Sequence, residues 1–423
     1  MKVVILNTSE RIGGAAIAAN RLMRVLRKSG IEASMLVLNK QTDDENVVLL
    51  QKSIIDKLHA KWNFLWERLT IFVQNGFSRR NLFRVSIANT GFDISKHPLI
   101  QSADIIHLHW INQGFLSLKG INKLIQTGRP VVWTLHDMWP ITSICHHAGK
   151  CPKYKKECGC CPFLKSSRKK DLSYKIMQGK VKIFNNTIKL VAVSNWLAEL
   201  TKQSAISGNN DVFVIPNGID LTSFKPRNEK MIRKQYALPE NKKIILMGSA
   251  RLDDPIKGFD NLKKALSSLL LLHKYKREDL LLVVFGRIKD IEAFEDALPI
   301  PYISLGLISD VNKISDLYSA VDVTVVPSYY ETFGQTIIES MACATPVVTF
   351  SNSGQTDIID HKRNGYLAEF ENNVDFANGI DWILQNKDVC QLSEKCTRKV
   401  QESFSDLIIS EKYISLYENL LKI

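Results

Sequence analysis

No stretch of the 423 residues reaches the roughly 18 consecutive apolar residues a membrane-spanning helix needs. The first apolar run, Met1 to Leu6, is too short for a secretory signal. Both absences point to a cytoplasmic chain without a transmembrane anchor. Disorder-type composition is missing as well: 45% of residues are hydrophobic, enough at this length for a large core and for two domains rather than one. No Asp-x-Asp pair occurs, so the familiar two-carboxylate cradle for a divalent cation is not there. Positive charge is scarce in the second half. Residues 191–423 hold 26 Lys+Arg against 31 Asp+Glu, net −5, whereas residues 1–190 hold 30 against 12, net +18. The basic excess of the first half suits an anionic membrane face or nucleic acid, or is a merely solvated surface.

What the chain does hold is centred on residues 327–348, PSYYETFGQTIIESMACATPVV. The β-branched run Val321–Val326 before it reads as a buried parallel strand ending near Pro327. Glu331 falls in a short loop closed by Gly334. From Gln335 the apolar positions Ile337, Ile338 and Met341 recur at helical spacing until Thr345-Pro346 stops them, and Val347 opens the next strand. In open α/β sheets ligands bind at the carboxyl ends of strands, where a helix start offers N–H groups and a positive dipole end to phosphate. Glu331 and Glu339 can hold hydroxyls at opposite ends of one ligand while the amides at Phe333, Gly334 and Gln335 hold an anion. The plain alternative is a solvated Glu on each side of an ordinary helix.

Upstream, IILMGSARLDDPIKGF reads as strand, loop and helix, with Arg251 and Lys257 six residues apart. Two cations on a strand-end loop can bracket a diphosphate. LLLVVFGR is another strand, ending at Gly286, and Gly306 allows a base to pass closely. Ser353, Gly354 and Asp357 form one more loop.

The first half opens with strand KVVILN, loop TSERIGGAA, a helix through Ile17–Leu26 and strand EASMLVLN. Gly13 and Gly14 at that helix start let a ligand approach the backbone, or make only a tight turn. Residues 52–92 interleave Trp62, Phe64, Trp66, Phe72 and Phe77 with Lys61, Arg68, Arg79, Arg80 and Arg84, as an interfacial helix does. An inserted helical pair with Trp62 and Phe72 in the core is the stronger expectation. DIIHLHW and VVWTLHD are strands delivering His109 and His136, the latter followed by Asp137. Five of eight cysteines fall within seventeen residues, and Cys145, Cys151, Cys158 and Cys161 are candidate ligands of a structural zinc, with free or redox-active thiols and disulfides left open. A basic run, SSRKKDLSYKIMQGKVK, follows.

The spacing E-x7-E in YETFGQTIIESMACATPVV, with R-x5-K at Arg251 and Lys257 and PNGID near mid-chain, closely resembles the retaining glycosyltransferases of family 4, which have the GT-B fold. HDMWPITSICHH with the cysteines resembles a subgroup from bacterial polysaccharide clusters. The resemblance implies two Rossmann-like doubly wound domains facing a central cleft, 1–205 with 405–423 crossing back, and 206–404. It implies that Glu331 faces the transferred sugar, Glu339 holds the ribose, Arg251 and Lys257 clamp the donor phosphates, His136 contacts the sugar, and the loop of Gly13 and Gly14 faces the cleft. Phe333, Gly334, Gln335 and Gly286 complete the expected donor site. Ala344 stands where the family more often has Gly. The implied activity is transfer from a UDP- or GDP-linked sugar to a lipid-linked or other saccharide acceptor, with retention and no catalytic metal, on the inner face of the plasma membrane. A nucleotide-sugar epimerase of the same fold and a basic nucleic-acid-binding protein are the rival readings; the paired Glu and the Arg/Lys pair have no purpose in the latter.

Overall fold

The computed structural model describes residues 1–165, 168–184, 188–289, 291–295 and 298–422. Ser166 and Ser167, at the head of the basic run, lie outside them. The chain divides into two compact units, Met1–Pro216 with Ile409–Ile423, and Asn217–Ile408.

Strands of the first unit are β1 (Lys2–Leu6), β2 (Glu32–Val37), β3 (Val47–Leu49), β4 (Ile105–Leu108), β5 (Val131–Leu135), β6 (Ile188–Ala192) and β7 (Val212–Val214). They form one parallel sheet in the order β3-β2-β1-β4-β5-β6-β7. The central strands are apolar on both faces because helices cover both, as parallel sheets require. Pairing of β7 with β6 carries this unit to Pro216, past the boundary expected at 205/206. Two helices matter below, α1 (Gly14–Lys28) and α2 (Ile54–Gln74).

The second unit contains β8 (Lys243–Arg251), β9 (Leu280–Arg287), β10 (Tyr302–Ser304), β11 (Val323–Val326), β12 (Val347–Phe350) and β13 (Gly365–Ala368), again all parallel, in the order β10-β9-β8-β11-β12-β13. Its core joins β8, β9, β11 and β12 to the helices Phe259–Leu271 and Asn373–Leu384.

The C-terminal helix Asp406–Leu421 contributes Tyr413 and Tyr417 to the first unit's core. Tyr413 Oη lies 2.8 Å from Thr134 Oγ1, and Tyr417 Oη 2.7 Å from His107 Nδ1, so polar tips as well as rings dock this segment. Among the described residues no helix is long and apolar enough to cross a membrane. The aromatic segment 52–92 holds one long helix, α2, and an irregular return. Trp62 is 59% exposed, which corrects the core placement expected for it, while Phe72 is half-buried against Phe77.

Candidate active site

In the second sheet, strand order reverses between β8 and β11: one half runs outward through β9 and β10, the other through β12 and β13. Loops leaving the carboxyl ends of two such strands diverge and open a crevice. The sequence sends its charged pair to this place. After β8 the chain turns at Pro255–Lys257, with the Asp254 side chain accepting the Ile256 N–H; after β11 it runs from Pro327 to Gly334. The two loops are joined by the Tyr329 N–H donating to the Ile256 carbonyl at 2.9 Å.

Lys257 Nζ donates to Glu331 Oε1 at 2.8 Å, and Ser328 Oγ donates to the same oxygen at 2.8 Å. Burial lowers the Lys257 ammonium's pKa, but Glu331 and Asp254 outweigh it and hold the group above its ordinary value. The loop after β12 fixes the Glu331 backbone: its N–H donates to Ser353 Oγ at 3.0 Å and its carbonyl accepts from Gly354 N–H at 2.9 Å. The sequence reading placed a loop at Ser353 and Gly354 but did not foresee that it clamps Glu331, and it missed Ser328. A small residue three positions before the Glu was the available signal. Gly354 must be glycine, since a Cβ there would come within 2.2 Å of the Thr332 carbonyl oxygen.

The other residues of the second unit divide. Arg251 is exposed and turns to Asp253, Nε to Oδ1 3.5 Å, apart from the Lys257–Glu331 pair. Gly334, at φ +118°, starts the helix Gln335–Ala342 and as a glycine has no side chain of its own to cap it. Phe333 is a core side chain, its ring 5.6 Å from that of Phe404, so only its backbone can serve a ligand. Gln335 and Glu339 lie half-buried on the helix. Gly286 has a packing role: a Cβ would meet the Ser249 carbonyl oxygen at 1.9 Å, where β9 crosses the irregularity in β8.

Gly13, Gly14 and His136 belong to the first unit. Gly13 (φ +94°) precedes α1, and a Cβ on either glycine would meet nothing within 4 Å, which leaves their backbone open to approach. The preceding loop is tied down by Glu10, a fully buried carboxylate that accepts from the N–H groups of Gln41 and Thr42 and from the Thr42 hydroxyl. Burial raises the Glu10 pKa, but these donors and Arg11 bring it below its ordinary value.

His136 is not an isolated contact residue. Its Nε2 lies 2.8 Å from His109 Nδ1, and the His107 ring packs tilted against His109 at 4.3 Å between ring centroids. Asp137 accepts from Trp110 Nε1 and the Trp139 N–H, and pairs with His146 Nδ1 at 2.6 Å. Burial, with a contribution from the charge of His136, holds His107 down to about 3; burial holds His136 down to about 4 against the pull of Asp137. These imidazoles are neutral in the fold. Above the unfolded-chain value of 6.5 they contribute nothing to pH-dependent stability; below it the unfolded chain takes up protons the folded one refuses, so stability falls from pH 6.5 towards 4 and 3. Asp137 acts lower. Burial raises its pKa but His146 and its other partners bring it to about 2, so its stabilisation is present above 3.8 and lost from there down to 2. The melting temperature is therefore expected to drop between pH 6.5 and 4.5, less steeply in His136→Gln. A flat profile in the wild type would refute the buried neutral cluster.

Cys145, Cys151, Cys158 and Cys161 line one cavity of ≈ 20 Å³ with Tyr154 and Phe163. Burial pushes the thiols of Cys145 and Cys158 up to about 12 and about 11. Among the described residues no three His, Cys, Asp or Glu side chains are grouped to hold a metal ion in this arrangement, and none of the four cysteines is in a disulfide.

Comparison with known proteins accords with this geometry. The profile of Glycosyl transferases group 1 matches residues 228–403, and that of Glycosyltransferase Family 4 matches residues 12–223. A D-inositol 3-phosphate glycosyltransferase of Arthrobacter sp. (strain FB24) is 27% identical over 289 residues, 66% of this chain but 61% of that protein, so the match spans only about three fifths of the relative. Among solved structures, sucrose-phosphate synthase from Thermosynechococcus elongatus superposes with a TM-score of 0.68 at 19% identity, covering 100% of this chain and 99% of that one. Anabaena HepE in complex with UDP and glucose superposes at 0.67 and 17%, covering 99% of each. Two Rossmann-like units with parallel sheets on one chain are the GT-B fold of these structures. With one family profile matching half of its length and a second glycosyl transferase profile matching most of the remainder, the chain belongs to glycosyltransferase family 4.

Proposed function

We propose that the protein transfers a sugar from a nucleoside-diphosphate sugar, UDP- or GDP-linked, to a saccharide acceptor, lipid-linked in bacterial cell-surface polysaccharide synthesis, with retention. The observation that carries this reading is the Lys257–Glu331 pair at the reversal point of the second sheet, beside the start of the helix Gln335–Ala342. Lys257, Arg251 and the helix end at Gly334 stabilise the diphosphate as its charge grows, the part a divalent cation plays elsewhere. Glu331 faces the sugar and Glu339 the ribose. Support comes from the HepE complex, which holds UDP and glucose on the same fold, and from the missing Asp-x-Asp pair. No side chain is assigned as nucleophile; leaving and attack occur on one face of the sugar. His136 contributes from the first unit, and the basic surface of that unit meets the inner face of the plasma membrane, where such an acceptor is held.

The experiment is hydrolysis of a panel of UDP- and GDP-sugars, then product analysis by NMR with a saccharide acceptor. One donor is expected to turn over and to yield a product of retained anomeric configuration. Inversion would remove the one-face mechanism, epimerised donor without transfer would assign an epimerase, and a panel with neither turnover nor binding would remove the transferase reading altogether.

A further inference from the structure

Helix α2 is packed inside out. Its capping box at Ser53 and Asp56 starts a 21-residue helix, about 31 Å long at 1.5 Å per residue, but the face turned to the protein is largely polar. Asn63, Glu67 and Arg68 are buried there, with Ile71 in the core at its C-terminal end. Glu67 accepts the N–H groups of Ile87 and Ala88 at 2.7 and 2.9 Å and pairs with Arg68 at 2.7 Å. Arg68 donates to the Val85 carbonyl at 3.0 Å, and Asn63 Oδ1 accepts from the Thr90 hydroxyl at 2.6 Å. This face supplies partners to the backbone of an irregular segment that has no sheet to supply them.

The apolar positions are therefore turned outward. Ile55, Leu58, Trp62, Leu65, Leu69 and Val73 recur every three or four residues along the whole helix, 77% exposed at Ile55 and 59% at Leu65. Trp66 stacks on Trp62 at 5.7 Å; Phe77, 70% exposed, follows the C-terminal end, and Phe83, also 70% exposed, returns along the helix to stack on Phe64 at 6.5 Å. A contiguous apolar strip of this extent marks a surface made to be covered.

The charges around it identify the cover. Lys57, Lys61, Arg79, Arg80 and Arg84 are exposed along the strip, whereas the two acidic residues of the segment are engaged, Asp56 in the capping box and Glu67 in the interior. The Lys165 N–H donates to Asn75 Oδ1 and so brings Lys165 to the same end of α2. A symmetric pairing with a second copy would set these cations against one another.

We propose that α2 lies in the surface of an anionic phospholipid bilayer, its Trp and Leu side chains among the upper acyl chains and its flanking Lys and Arg on the phosphates. The proposal deepens the membrane part of the functional reading and rests on it only for the sign of the lipid charge. It names the element and the mode, insertion rather than adherence through charge alone.

The test uses the full chain with vesicles of phosphatidylcholine, with and without phosphatidylglycerol, some carrying brominated acyl chains. Wild-type protein is expected to sediment with the phosphatidylglycerol vesicles and its tryptophan fluorescence to be quenched by bromine. Leu58→Glu/Leu65→Glu should bind about a hundredfold more weakly, as loss of two inserted leucines implies, with far-UV circular dichroism and donor hydrolysis unchanged. Undiminished binding by the double variant, or binding without bromine quenching, would overturn insertion. Wild-type protein that ignores vesicles but self-associates, and is returned to monomer by the double variant, would make the strip an interface between copies. Vesicle binding in a protein that hydrolyses no donor would sink the transferase reading and leave this one standing.

Discussion

Lys257→Ala is expected to lower kcat by about a hundredfold or more, the scale of removing a preorganised charge from a developing anion. The ammonium is held by Glu331 before any donor arrives, so its position is prepared and not improvised. Arg251→Ala is expected to fall in the same range, although this side chain lies exposed beside Asp253 and must turn to reach a phosphate. Both variants should melt close to the wild type, since neither side chain belongs to the core. Glu331→Gln combined with Lys257→Ala should cost much less than the product of the single effects, because each single change leaves a charge without its partner. EDTA should leave turnover intact. Wild-type rates in both alanine variants, or complete loss with EDTA that magnesium restores, would overturn the clamp.

Gly258→Ala is expected to destabilise the second unit by about 3–4 kcal/mol and to abolish turnover, through strain added to overpacking. Gly258 sits at φ +69°, between the turn that carries Lys257 and the helix Phe259–Leu271, and a Cβ would come within 1.9 Å of the Pro327 carbonyl oxygen. That oxygen is backbone at the end of β11, so relief requires the loops of Lys257 and Glu331 to part. Gly13→Ala is the control. It carries backbone strain of its own, at φ +94° and ψ 161° in a region that is essentially glycine-only, but faces open space, so only that strain of about 1–3 kcal/mol is expected. Urea unfolding of both variants makes the comparison; equal small shifts would show that the β8 turn yields and that its packing on β11 is not what positions Lys257.

Much of the fold was legible from residue patterns. The runs at Lys2–Leu6, Leu280–Arg287 and Val323–Val326 are apolar without alternation, which is what a strand covered on both faces must be. The helix Gln335–Ala342 was readable between Gly334 and Pro346, since glycine and proline act on the local backbone whatever surrounds them. Spacing along the chain groups Cys145, Cys151, Cys158 and Cys161 but does not say where thiols point; only the fold shows that they line one cavity. The histidines show another limit of the sequence: each strand end reads as offering one side chain, and only the pairing of the neighbouring strands β4 and β5 shows that His109 and His136 meet.

By itself the sequence determined the αβ alternation, the Glu331–Glu339 and Arg251–Lys257 spacings and the uneven charge, because these are properties of short segments or of composition. Tertiary structure alone decided that Lys257 meets Glu331, seventy-four residues away, since only the order of strands in the sheet sets β8 beside β11. It decided also which face of α2 is outward. Periodicity announces an amphipathic helix but is indifferent to direction, and here backbone groups of Val85, Ile87 and Ala88 claimed the polar face and left the tryptophans outside.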